Sequence, residues 1–229
     1  MPPAMPPVAP GRRLAGPFET ARSRAQLDAV EKWVRRRMGR VEHEQRVAEI
    51  GATVFELTRP LHSLARGDAR LLRLAAMVHD VGRSVDEAEH PLRGAAMVLS
   101  DESLPLAPTE RRSLAYLTLY HRGAVPASGD DDVLHPTDDH GRMLKLLGML
   151  RCADGLDSRS LESPRLVFAL AADGAVPGRL LRVTCYLQTD SEKVRRVYGR
   201  RKKFRLLEES LGCRVEVAMA LAQGLRMVA

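Results

Sequence analysis

Leu71–Arg83 reads LLRLAAMVHDVGR, and the fold turns on how this stretch is read. Leu71, Leu72, Leu74, Ala75, Ala76, Met77 and Val78 leave almost no polar face, which predicts a central, buried helix. The helix is expected to run into His79 and Asp80 and to stop at Gly82. Two adjacent ionisable groups at the end of a buried helix need partners, since each would cost several kcal/mol to desolvate alone. A shared divalent cation would serve, because imidazole and carboxylate are both metal ligands. An ordinary helix end with a hydrogen-bonded His and a solvated Asp would serve as well. The stretch alone leaves both readings open.

Working outward, other segments repeat the pattern. Ala21–Met38 predicts a helix broken by Gly39, and a second helix follows over roughly Val41–Leu57. In that second helix His43, Val47, Ile50, Val54 and Leu57 share one face at helical spacing, with His43 at its N-terminal end. His90-Pro91 opens a helix to about Leu99, Pro91 suiting its first turn. Thr109 is the expected N-cap of a helix from Glu110 to about Arg122, on which Leu114, Leu117 or Thr118, and His121 share a side. Asp138 or Asp139 caps a helix to about Leu156, with Met143, Leu147, Leu150 and Asp154 on one face and Asp157 on the neighbouring stripe. Asp is rarely buried without a partner, so a carboxylate ending an apolar stripe is the more telling case.

After Pro164 the texture changes. Arg165–Ala171 and Leu180–Leu187 predict strands, Thr189-Asp190 caps a helix to about Leu211, and Cys213–Met219 predicts a third strand. The expected architecture is mainly α: a helical region over 21–160, then a small ββαβ appendage over 161–229. Met1–Pro17 is Pro- and Ala-rich with no apolar signal-peptide core, so residues 1–20 are expected to form a disordered leader.

With 229 residues and an apolar fraction of 45%, the chain suits one large domain or one with a small appendage. No apolar run reaches membrane-spanning length. The three cysteines, Cys152, Cys185 and Cys213, lack metal or redox spacing, which fits a reducing, cytoplasmic compartment. The net charge of +7 is concentrated at Lys193, Arg195, Arg196, Arg200, Arg201, Lys202, Lys203 and Arg205; without these eight the remainder is slightly acidic. So local a patch points to an anionic partner, although a solvated helix face would look the same.

Four predicted helices thus end an apolar stripe in a ligand-type residue: His43, His79 with Asp80, His121, and Asp154; His90 opens a fifth. Nitrogen and carboxylate donors without thiolate suit Mn, Fe, Mg or Ni better than a structural zinc. The order His, then His-Asp, then Asp resembles the HD-domain superfamily, whose members are helical, bind divalent metal and are mostly phosphohydrolases. The resemblance implies His43, His79, Asp80 and Asp154 as ligands of one ion, with His90 and His121 holding a second. EHPLRGAAMVLS, TERRSLAYLTLYHR, RCADGLDSRS and the basic β/α tail look more closely like the C-terminal half of the exopolyphosphatase/guanosine pentaphosphatase (Ppx/GppA) family. That family carries its phosphatase chemistry in an N-terminal actin-like half with Gly-rich phosphate loops, and no such loops precede residue 25 here.

Two functions follow. In the first, the chain is a metal-dependent phosphohydrolase of phosphate esters or anhydrides, with polyphosphate or guanosine phosphates as the substrates the resemblance implies. Asp80 and His79 are its catalytic residues, Asp80 orienting water. Arg83 and Arg122, beside ligands, and Arg200, Arg201, Lys202 and Lys203 bind substrate. In the second, the chain is a non-catalytic polyanion-binding or regulatory module whose basic tail binds polyphosphate, nucleic acid or a partner phosphatase chain; a homodimer is an expected assembly under either function.

Overall fold

The structure is a computed structural model that describes residues 20–174 and 176–222, so the leader expected over residues 1–20 lies, up to Thr20, outside the described residues. Helix α1 (Ala21–Met38) begins where the Thr20 hydroxyl accepts the Ser23 amide at 3.1 Å and ends at Gly39, whose φ of 76° is left-handed. Helices α2 (Glu42–Leu57), α3 (Arg66–Val78), α4 (His90–Ser100), α5 (Pro108–Tyr120) and α6 (His140–Gly155) follow. The Asp139 carboxylate caps α6, accepting the Arg142 amide at 3.2 Å. As the apolar run predicts, α3 lies at the centre, with Leu71, Leu72, Leu74, Ala75, Ala76, Met77 and Val78 all buried.

The chain then forms β1 (Arg165–Asp173), β2 (Val176–Leu187), α7 (Glu192–Tyr198), α8 (Arg205–Leu211) and β3 (Arg214–Leu221). In the sheet β1 pairs antiparallel with β2, and β3 lies parallel on the other side of β2. Leu181, Val183, Cys185 and Leu187 alternate along β2 as its buried face. They belong to the same apolar core as the helices, continuous through Tyr198, Phe204, Leu207 and Leu211. The fold is mainly α with a small α/β appendage. Helix α8 presses its backbone onto α6 at Gly148, where a Cβ would stand 2.9 Å from the Leu207 nitrogen and Cα.

Three local expectations change. Helix α3 ends at Val78, so His79 and Asp80 lie in the turn beyond it, and a 3-10 turn over Val81–Ser84 follows. Helix α5 starts at Pro108, whose missing N–H is no loss in a first turn; Thr109 is therefore inside the helix and does not cap it. The basic run does not form one helix. It is split into α7, a 3-10 turn at Arg201–Lys203, and α8. The break falls at Gly199, the C-cap of α7, where an added Cβ would come within 2.8 Å of the Arg195 carbonyl oxygen.

Candidate functional site

The site lies where the C-terminal ends of α3, α5 and α6 meet the N-terminal ends of α2 and α4. His79 and Asp80 follow α3, His121 follows α5, Asp154 is in the last turn of α6, His43 is in the first turn of α2, and His90 opens α4. All six sequence-predicted ligands converge there. His79, His90 and His121 are almost fully buried, and Asp80 and His43 nearly so.

Two groups form. The donor atoms of His43, His79 and Asp154 lie within 4.8 Å of one another, and so do those of Asp80, His90 and His121. In the first, Asp154 Oδ1 is 3.5 Å from His43 Nε2 and 3.7 Å from His79 Nε2. In the second, Asp80 Oδ1 is 3.2 Å from His90 Nε2 and 3.4 Å from His121 Nε2. Asp80 stands between the groups, because its Oδ2 is 3.8 Å from His79 Nε2 and 4.0 Å from His43 Nε2.

Every imidazole is held by its other nitrogen. Nδ1 of His79, His90 and His121 bonds the carbonyl oxygens of Ala76, Glu87 and Thr118 at 2.8, 2.8 and 2.7 Å. A carbonyl only accepts, so each Nδ1 is the protonated donor and each Nε2 is left with its lone pair facing the cluster. His43 Nδ1 bonds Asp157 Oδ2 at 2.8 Å in the same sense. Among the described residues His79 Nε2 is buried with no hydrogen-bond partner, and the Nε2 atoms of His90 and His121 face each other across 3.3 Å. Inward lone pairs on four rings beside two carboxylates fit a cation, as do rings fixed through their outer nitrogen.

The electrostatics agree. Burial opposes charge on Asp80 and Asp154, but the facing imidazoles, joined at Asp154 by Lys203, hold both below the usual carboxylate range. Burial also opposes charge on His43, yet its bonds with Asp154 and Asp157 raise its pKa to about 9. Burial pushes His121 down to about 4.

Several outer contacts escaped the sequence reading, which placed Asp157 beside the ligand stripe without giving it a partner. Asp157 holds His43 and is itself held by Arg46 Nε at 3.1 Å and Ser163 Oγ at 2.7 Å. Arg159 donates from Nε to Asp80 Oδ2 at 3.0 Å and also pairs with the fully buried Glu44. Arg159 lies within RCADGLDSRS, a segment carrying the family likeness, but nothing in its local spacing shows what it faces. Among the expected substrate-binding residues, Arg83 reaches the site, its Nε 2.7 Å from Asp80 Oδ2. Arg122 is exposed and makes no hydrogen bond or ion pair among the described residues. Arg201 pairs with Glu208 at 2.7 Å, whereas Arg200 and Lys202 are exposed. Lys203 pairs with Asp154.

A cavity of about 190 Å³ opens beside His43 and is lined by Arg40, Arg46, Asp157, Ser158, Arg159 and Ser163 among others. A larger cleft of about 550 Å³ lies at the other ends of α3, α5 and α6, around Asp68, Glu110, Ser113 and Arg142.

These features define a helical protein whose helix ends gather buried His and Asp groups able to hold a metal. The chain belongs to the Ppx/GppA phosphatase, domain III family, whose sequence model matches residues 29–169. The matched segment contains all six candidate ligands and ends within β1. No curated protein matches the chain. Among the described residues no helix is long and apolar enough to cross a membrane.

Proposed function

We propose that the chain is an HD-type, metal-dependent phosphohydrolase acting on phosphate esters or anhydrides, with polyphosphate or guanosine phosphates as its substrate class. The observation that carries this reading is the convergence of four outward-anchored imidazoles on Asp80 and Asp154. His43, His79 and Asp154 would hold one divalent ion and His90 and His121 a second, with Asp80 shared; Mn, Fe, Mg and Ni suit these donors. When bound, such ions supply Lewis acidity toward water and phosphoryl oxygens.

The protein's own part is positioning. Nδ1 anchoring keeps each Nε2 lone pair turned inward. Asp80, steadied by Arg83 and Arg159, is placed to orient an attacking water. Arg40, Arg46 and Arg159 line the opening and favour the approach of a phosphate group. The family match, to domain III of Ppx/GppA phosphatases, supports phosphate compounds as the ligand class.

The deciding experiment is metal analysis of purified protein, followed by a hydrolysis screen with pyrophosphate, tripolyphosphate, longer polyphosphate and guanosine tetraphosphate in added Mn²⁺. Metal-dependent phosphate release is expected; a metal-free protein that stays inert with every divalent ion refutes the proposal.

Two further results are expected. His90→Ala and His121→Ala should each lose about one metal equivalent and most activity while keeping the other ion, so wild-type protein that never takes up more than one ion rules out the paired arrangement. Arg200 and Lys202 are exposed members of the split basic run whose side chains form no ion pair among the described residues. Reversing both to Glu should raise KM for long polyphosphate and flatten its salt dependence, with kcat nearly unchanged. An unaltered KM across a salt series would make them ordinary surface charges.

A further inference from the structure

Lys203 reaches the cluster from outside the helices that build it. It ends the 3-10 turn between α7 and α8, beyond the segment that matches the family. Its ammonium pairs with Asp154 Oδ2, whereas Asp154 Oδ1 faces His43 Nε2 and His79 Nε2. The two oxygens of one carboxylate are therefore divided between the appendage and the metal-type donors.

The approach is built into the packing. The stem of Lys203 lies across Gly155, where an added Cβ would stand 2.9 Å from Lys203 Cβ and 3.2 Å from its Cγ. The next residue, Phe204, and Leu207 beyond it are fully buried, and α8 sits directly on α6 at Gly148. The Lys203 side chain is only 16% exposed, against 59% for Arg201 and 79% for Arg205 on either side of it. Lys203 is thus separate from the exposed basic run to which its sequence position assigns it.

We propose that Lys203 is a positioning residue of the His43–His79–Asp154 group, supplied by the α/β appendage. By engaging Oδ2 it fixes the carboxylate plane and leaves Oδ1 alone to meet a cation. The inference rests on the metal-binding reading above. Two effects of Lys203 oppose each other: its charge repels a divalent ion, and its hydrogen bond holds a ligand in place. The repulsion is offset by the Asp154 charge lying between, and changes to groups that orient ligands cost about 10–100-fold in metal affinity. Orientation therefore outweighs repulsion.

The test is calorimetric titration of the full chain with Mn²⁺. Lys203→Met is expected to weaken one of two sites by about 10–100-fold and leave the other unchanged. Gly155→Ala, which keeps the charge but pushes the lysine stem aside, should weaken the same site, and it provides an independent reading if the methionine variant folds poorly. Lys203→Arg, which keeps the charge, should recover most of the affinity, whereas a merely structural role for the stem would leave Lys203→Met, which keeps that stem, at wild-type affinity. Wild-type affinity in both Lys203→Met and Gly155→Ala overturns the assignment while leaving the metal site intact. Tighter binding in Lys203→Met also overturns it, since repulsion would then dominate. Wild-type protein that takes up no Mn²⁺ defeats the metal reading itself and this inference with it.

Discussion

Asp80→Asn is expected to remove both metal ions at once while leaving the helical fold standing. Asp80 is 3% exposed, and its Oδ1 faces the second group while its Oδ2 faces the first. Asparagine keeps the volume and the planar head but loses the charge and turns one acceptor into a donor. If that NH₂ faces His90 and His121, it satisfies their lone pairs and closes the second site. If it faces the other way, it meets the Arg83 and Arg159 Nε donors, which then lose an acceptor. Both arginines keep another partner, Glu87 and Glu44 respectively, so the folding cost should stay at about 1–3 kcal/mol. Loss of a shared ligand should exceed the about 10–100-fold that changes around a ligand cost. Metal analysis after dialysis, with a thermal melt as the check on folding, decides it. Stoichiometric metal retained by the variant would show that Asp80 is not a ligand.

The sequence showed what is set by local pattern. Helix α1 occupies the predicted Ala21–Met38 because a hydroxyl cap and a left-handed glycine both lie within a residue of its ends. The six ligand-type residues were legible because each closes or opens an apolar stripe, and a stripe's end is where the core meets the surface. The sorting of those residues was not legible. Nothing in a helical period says that Asp80 turns one oxygen to His90 and the other to His79. The outer contacts were hidden for the same reason: Arg159 meets Asp80 across 79 residues and Lys203 meets Asp154 across 49. The basic run misled because charge carries no period, and the predicted helix ran straight through the Gly199 that breaks it. Much of that charge is spent locally, on pairs such as Arg195–Asp190 and Arg196–Glu192.

Gly82→Ala is expected to be the most damaging single methyl group that can be added near the site. Gly82 lies in the turn after Asp80, and α4 crosses it backbone to backbone. An added Cβ would overlap the His90 carbonyl oxygen and lie 2.5 Å from the Gly94 nitrogen. Gly94 completes the approach from the other side, since its own Cβ would stand 3.2 Å from the Gly82 nitrogen and 2.9 Å from a Thr118 methyl. Neither obstacle at Gly82 is a flexible side-chain tip, so relief requires α4 to move as a body. Overpacking typically costs 1–3 kcal/mol, and a collision with main chain belongs at about the top of that range. For a chain of this size that lowers Tm by about 6–12 °C. The displacement also has a direction. His90 is the first residue of α4, so the group of Asp80, His90 and His121 should lose its ion while His43, His79 and Asp154 retain theirs. Gly67→Ala is the matched control: nothing lies within 4 Å of its Cβ position, near the start of α3, so it should be neutral or raise stability by up to about 1 kcal/mol. If Gly82→Ala melts within about 2 °C of the parent, a shift worth under about 1 kcal/mol, and still binds two ions, then α4 yields at little cost and the crossing does not position His90.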